Sequence, residues 1–205
     1  MILPDVHTHR FREATGVLSI VNRSPSINEA VPDYPYSVGI HPWHVHRFDR
    51  SFQIEEAWMK AAVFIGEIGL DKRCTQDWAL QQHWFEKQLT WAEAFHKPVI
   101  LHVVASMQEV LQTKRDHPHI PMWVIHGFRG SLQQMQQYIQ HGFYISFGVK
   151  LNEAALRACP MERLFLETDD DDAPIEDLFE RIAWIKQTSV EHLSEAMLNR
   201  INPFL

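Results

Sequence analysis

The sequence predicts an α/β fold, a compact (β/α)8 TIM-type barrel with its helices reduced in the first half. Three observations carry this expectation. Eight short apolar runs recur along the chain, at residues 2–6, 17–21, 37–40, 63–68, 99–103, 123–126, 143–147 and 164–167. Most are near-continuous rather than alternating, as strands buried on both faces of a parallel sheet should be. The later runs are separated by stretches of helical periodicity, the alternation from which parallel barrels are assembled. An open doubly wound sheet is the competing fold, because 205 residues lies near the lower end of barrel length.

In the front half, about ten residues separate the first two strands, too few for a full crossover helix. Residues 22–36, with Pro25, Pro32 and Pro35, read as loop. The first long helical pattern covers residues 77–96, where Trp78, Phe85, Leu89, Ala92 and Phe95 share one face before Pro98 opens the next strand. Ser131 is placed to cap a helix with Leu132, Met135 and Ile139 inward, ending at Gly142. Pro174 begins a pattern of Ile175, Leu178, Ile182 and Ile185. Ser189 precedes a last one of Val190, Leu193, Met197 and Ile201.

Bulk properties narrow the function. The chain reads as a single domain over 1–205, with 45% hydrophobic and 22% charged residues. No apolar run approaches the roughly 18 residues of a membrane span. Met1-Ile2-Leu3-Pro4 lacks the basic and apolar regions of a signal peptide. Cys74 and Cys159 have no paired spacing, which favours a reducing compartment and argues against a cysteine-based zinc site. The expected location is therefore cytoplasmic, without membrane contact or an obligate protein partner. A net charge of -7 speaks against a protein that coats nucleic acid electrostatically.

The polar residues gather at strand ends. Asp5, His7 and His9 alternate on one face of the first strand, and the third strand runs into His41. Glu67 falls near the end of the fourth strand, His102 and His126 at the ends of the fifth and sixth, and Asp169 after the eighth. Barrel active sites are assembled from such positions. A carboxylate inside Phe64-Ile65-Gly66-Glu67-Ile68 is costly to bury unless it is paired or coordinated. Each residue has an ordinary alternative: a hydrogen-bonded histidine, an arginine partner for Glu67, a solvated loop for the aspartate run. A shared centre of divalent metal explains nearly all of them together.

Nine of the nineteen basic residues follow strand ends, namely Arg10, Arg12, Arg23, Arg47, Arg50, Lys72, Arg73, Arg129 and Lys150. They predict a basic rim facing an anionic substrate. Trp43 and Phe128, in two of these loops, are placed either to stack on exposed bases or to pack the loops.

Read together, Asp5-Val6-His7-Thr8-His9, Gly39-Ile40-His41-Pro42-Trp43, Gly66-Glu67-Ile68-Gly69-Leu70-Asp71, Leu101-His102, His126-Gly127-Phe128-Arg129-Gly130-Ser131 and Leu166-Glu167-Thr168-Asp169 resemble the TatD-like metal-dependent hydrolases, relatives of the amidohydrolase superfamily. The resemblance covers nearly the whole chain. It implies a TIM-type barrel with one or two divalent ions (Zn, Mg or Mn) and hydrolysis of phosphodiester bonds by a metal-activated water. The usual family activity is exonuclease action on DNA or RNA, so the expected substrate is single-stranded DNA or DNA ends. His7, His9 and Asp169 then correspond to ligands of one metal, with Glu67 bridging and His102 and His126 completing the second. Asp169 and Glu67 are the expected catalytic residues, His41 and Arg129 the substrate contacts, and Asp5 a support for the ligands.

The chain departs from the family pattern at Val104, where an arginine is usual, and at Asp170-Asp171-Asp172, which intervene before Pro174. It is also shorter than typical members. Two rival readings are a small-molecule amidohydrolase or deaminase and a degenerate, non-catalytic barrel. The first often uses a carboxylated lysine as the bridge, but here Glu67 holds that position and Lys72 lies further down the loop.

Overall fold

Eight strands form one sheet in chain order. They are β1 (Leu3–Thr8), β2 (Val17–Arg23), β3 (Tyr36–Val38), β4 (Phe64–Asp71), β5 (Val99–Val104), β6 (Trp123–Ile125), β7 (Tyr144–Phe147) and β8 (Leu164–Leu166). β1–β2, β3–β4, β4–β5, β6–β7 and β7–β8 pair in parallel, and Thr8 bridges Asp169 just past β8. A doubly wound sheet would reverse its order at a switch point. Sequential parallel order, with the first strand meeting the end of the last, is the (β/α)8 barrel class. The computed structural model describes residues 1–11, 14–26 and 29–205, so Arg12 of the expected basic rim lies outside the described residues.

The helices are α1 (Glu56–Ala61), α2 (Trp78–Ala94), α3 (Met107–Asp116), α4 (Leu132–Gln140), α5 (Glu153–Ala158), α6 (Ile175–Lys186) and α7 (Val190–Ile201), with a 3₁₀ segment at Pro42–Arg47. Among the described residues no helix joins β1 to β2 or β2 to β3, so the outer ring is thin where the sequence predicted it. No helix there is long and apolar enough to cross a membrane.

The chain packs as two compact units, Met1–Val21 with Val124–Leu205, and Asn22–Trp123. In the first, β1 is buried along its whole length, and Phe143, Phe147, Phe165, Phe179 and Met197 form core. Asp169 closes this unit's ladder, its N–H donating to His7 O at 2.9 Å and its carbonyl accepting from His9 N at 3.2 Å. The expected caps are in place. Ser131 and Gln134 make a reciprocal capping box, and the Ser189 side chain accepts from His192 N.

In the second unit, β4 is wholly buried and longer than the apolar run suggested, continuing past Ile68 to Asp71 opposite Val104. Gly69 makes that extension possible. Its φ is +147°, and an added Cβ would lie 2.0 Å from the His102 carbonyl oxygen. Glu67 consequently sits mid-strand, a correction to its expected place near the strand end.

The inward face of α2 also differs from expectation. Trp78 and Phe95 are half-buried, whereas Gln81 and Gln88 are buried. Gln88 accepts from Ile40 N at 2.5 Å and donates to Ile40 O at 3.2 Å. Gln81 does the same for Asp71, at 2.9 and 3.1 Å. Both backbone segments lie at or beyond strand ends, where the peptide groups need other partners. An unmet buried group costs about 1–3 kcal/mol, which is why amides displace apolar residues on this face.

Candidate metal site

The first unit brings together His7, His9, His126 and Asp169. Alternation along β1 puts Asp5 and His7 on one face, and the Asp169 backbone is held between His7 and His9 by the two ladder bonds just described. Asp169 Oδ1 then stands 3.7 Å from His7 Nε2 and 3.5 Å from His9 Nε2. Two donors on a tetrahedral cation at about 2.1 Å are roughly 3.4 Å apart, so this triad has the spacing of a metal site. The donor atoms of His7, His9 and Asp169, and those of His126, Glu167 and Asp169, each lie within 4.8 Å of one another. His7 is fully buried, whereas the Asp169 side chain is 24% exposed, open enough to meet a substrate.

Asp169 has φ +54°, in the left-handed region that aspartate and asparagine enter more readily than other side chains. The ladder on either side holds it there, and such positions gather at functional sites.

Two acids support this cluster. Asp5 accepts from Thr168 N at 2.9 Å and Thr168 Oγ1 at 2.6 Å, and it belongs to none of the donor groups found among the described residues. Burial pushes its carboxyl up to about 6, although the Thr168 bonds pull the other way. Glu167 is wholly buried. It accepts from Gly127 N at 2.5 Å and faces His126 Nδ1 at 3.3 Å. Burial alone would raise the Glu167 carboxyl, but neighbouring His126 and His7 hold it below the ordinary glutamate range.

Thr168→Val is expected to cost about 1–3 kcal/mol by leaving buried Asp5 Oδ2 without this donor, while Thr168→Ser retains most of the stability. Thermal unfolding of both variants checks this.

A cavity of about 130 Å³ opens beside Asp169, with Gly127, Arg129, Lys150, Glu167, Asp170 and Asp171 among its walls. The expected substrate contact Arg129 thus lies next to the triad. The rim is less basic than the raw count suggested: Arg10 pairs with Asp172, Arg23 with Glu29 at 3.3 Å, and Lys72 with Glu109. The aspartate run is ordered in part by its own turn, Asp171 Oδ1 accepting from Ala173 N at 3.0 Å. Phe128 is buried against Phe147 with ring centroids 5.7 Å apart, so it packs the loop.

The second unit brings together His41, Glu67 and His102. Gln88 fixes Ile40, which places His41 at the entry to the 3₁₀ segment. Asn22 Oδ1 accepts from Glu67 N at 2.8 Å. Glu67 Oε1 lies 3.0 Å from His41 Nε2 and 2.9 Å from His102 Nδ1. Asp71 was not singled out from the sequence. Its Oδ2 accepts from Trp43 Nε1 at 2.7 Å and faces His102 Nε2 at 3.3 Å, and its Oδ1 accepts from Arg73 N at 2.7 Å. Burial would raise the Asp71 carboxyl, but these bonds from Trp43, Arg73 and His102 hold it below the usual aspartate range. Lys72 is engaged by Glu109 and belongs to neither cluster.

Asp71 and Glu167 were both legible by the criterion that found Glu67, since each follows an apolar run.

Fold and site together define a (β/α)8 barrel with imidazole–carboxylate clusters drawn from the strands and the segments that follow them. The sequence profile described as TatD related DNase matches residues 11–202, and the chain belongs to that family. Similar proteins include an uncharacterized metal-dependent hydrolase of Haemophilus influenzae, 28% identical over 68% of this chain and 60% of its own length. Another is the Escherichia coli uncharacterized metal-dependent hydrolase YjjV, 30% identical over 68% and 59%. The 3'-5' ssDNA/RNA exonuclease TatD of Edwardsiella piscicida is 32% identical over 69% and 60%. The chain spans about 60% of the length of these curated relatives. The crystal structure of YjjV superposes with a TM-score of 0.81 at 22% identity, covering 99% of this chain and 97% of that one. At that identity the likeness speaks for the fold alone.

Proposed function

We propose that this chain is a divalent-metal-dependent phosphodiesterase, a deoxyribonuclease acting on single-stranded DNA or DNA ends. The observation that carries the reading is the His7–His9–Asp169 triad, with its donor atoms 3.5–3.7 Å apart around Asp169 Oδ1. The nuclease names of relatives such as the Edwardsiella piscicida exonuclease support the substrate class. In this reading residues 1–205 act as one hydrolase domain in the cytoplasm, without an obligate protein partner. The ligands are His7, His9, Glu67, His102, His126 and Asp169.

A divalent ion held by these residues, Zn, Mg or Mn, would supply the Lewis acidity that makes water nucleophilic at neutral pH and stabilises developing charge on oxygen. Asp169, partly open to solvent, accepts the proton of the attacking water. Glu67 holds negative charge where ligands converge, His41 donates toward a phosphate oxygen, and Arg129 in the cavity wall draws in the backbone charge. The amidohydrolase alternative is not favoured, since its bridging position is held by Glu67 and Lys72 is paired with Glu109.

The test is digestion of 5'-labelled single-stranded DNA by protein stripped with chelator and given Zn²⁺, Mg²⁺ or Mn²⁺ in turn. Shortened products are expected only after metal is restored. Undiminished digestion in excess chelator, or none with any metal, overturns the reading.

A further inference from the structure

We propose that Trp43 and Asp71 set the proton positions on His41 and His102, so that His102 presents Nδ1 as a metal-ligand atom while His41 presents an Nε2–H donor. The inference rests on the metal-centre reading above and deepens it. It makes Trp43 and Asp71 positioning residues.

A neutral imidazole carries one N–H and one lone pair, and its neighbours decide which nitrogen has which. His41 Nδ1 lies 3.1 Å from the backbone N of Trp43, a group that can only donate. Nδ1 therefore holds the lone pair and Nε2 the proton, aimed at Glu67 Oε1 at 3.0 Å. In that tautomer Nε2 cannot bind a metal.

His102 is held between two carboxylates. Its Nε2 faces Asp71 Oδ2 at 3.3 Å and its Nδ1 faces Glu67 Oε1 at 2.9 Å, so each nitrogen meets an oxygen that only accepts. Asp71 belongs to none of the donor groups among the described residues, whereas Glu67 shares one with His102, so a cation would take the place of the proton at Nδ1 and leave Nε2–H to Asp71. Donors at right angles on an octahedral ion with about 2.1 Å bonds stand roughly 3.0 Å apart, so Nδ1 and Oε1 are spaced to share one.

Trp43 acts on both rings. Its backbone amide sets His41, and its indole N–H bonds the same Asp71 oxygen that faces His102, at 2.7 Å. The Asp71 carboxylate cannot turn away, because Arg73 N holds its other oxygen at 2.7 Å and Gln81 clamps its backbone. A carboxylate behind a ligand histidine fixes the ring's tautomer and orientation and raises its basicity.

The experiment is imidazole ¹⁵N–¹H correlation NMR of the full chain before and after zinc addition, with zinc affinity from chelator competition in wild type, Asp71→Asn and Trp43→Phe. Wild type is expected to show His102 with zinc on Nδ1 and a proton on Nε2. His41 should be protonated at Nε2, without a zinc-bound nitrogen, in both states. Asp71→Asn is expected to weaken zinc binding about 10–100-fold while near-UV circular dichroism stays native. Trp43→Phe keeps the backbone amide, so it should leave the His41 tautomer unchanged and weaken zinc binding less than Asp71→Asn. A zinc-bound His41 nitrogen, a proton on His102 Nδ1 after zinc addition, or wild-type affinity in Asp71→Asn overturns this assignment while leaving the metal-centre reading standing. Failure of the wild type to take up zinc, magnesium or manganese overturns both.

Discussion

Under the proposed nuclease function, replacing Asp169 by asparagine is expected to lower kcat/KM on single-stranded DNA by on the order of 10³-fold, about 4 kcal/mol of barrier, with the fold intact. Among the described residues, Asp169 is shared by two donor groups of its unit, one with His7 and His9 and one with His126 and Glu167. Asparagine has the same size and also tolerates the φ of +54°, and the ladder bonds at His7 and His9 involve only its backbone. What it loses is charge and basicity. An amide oxygen is a weaker ligand than a carboxylate and does not take the proton of water. Melting temperature, metal content and kcat/KM measured on one preparation separate these effects. A folded Asp169→Asn protein within tenfold of wild type would remove Asp169 from the chemistry. Glu67→Gln is the matching variant in the other unit.

Gly69→Ala should be among the most destabilising single substitutions in the chain, at about 3 kcal/mol or more. Two costs combine. The φ of +147° lies where side chains are strained, and the new Cβ would fall 2.0 Å from the His102 carbonyl oxygen, a backbone atom that moves only with β5. The expected result is a lower urea midpoint and, in whatever protein stays folded, weakened divalent-ion binding as His102 shifts with its strand. Gly142→Ala is the control. At that position φ is +77° but nothing lies within 4 Å of an added Cβ, so only the conformational cost of about 1–2 kcal/mol applies. Equal midpoints for the two variants would show that the β4–β5 approach carries no weight.

Much of this architecture is visible in the linear sequence, and particular residues show why. Apolar runs mark strands because a parallel sheet covered on both faces excludes polar side chains along a stretch such as Val99–Leu101. Ser131 marks a helix start because its hydroxyl answers a nearby amide, an interaction complete within four residues. Short helices such as α1 and α5 were not singled out. Six residues give too little periodicity to read, and packing rather than propensity holds them. Gln81 and Gln88 look like solvent-facing residues on paper. They are buried because backbone groups at Asp71 and Ile40, distant in sequence, need partners.

The candidate site divides along the same line. The sequence by itself determined which residues are available: His7, His9, His41, Glu67, His102, His126 and Asp169 stand at or near the ends of apolar runs, where an ionisable group is costly unless it has work to do. It also determined the family, whose motifs are local strings. Only the tertiary structure decided that Asp169 stands between His7 and His9, because that depends on a ladder joining residues 160 and 162 positions apart. It alone brought Asp71 and Trp43 against His102. Donor direction and proton position depend on which group faces each ring nitrogen, and those neighbours meet only once the strands have paired.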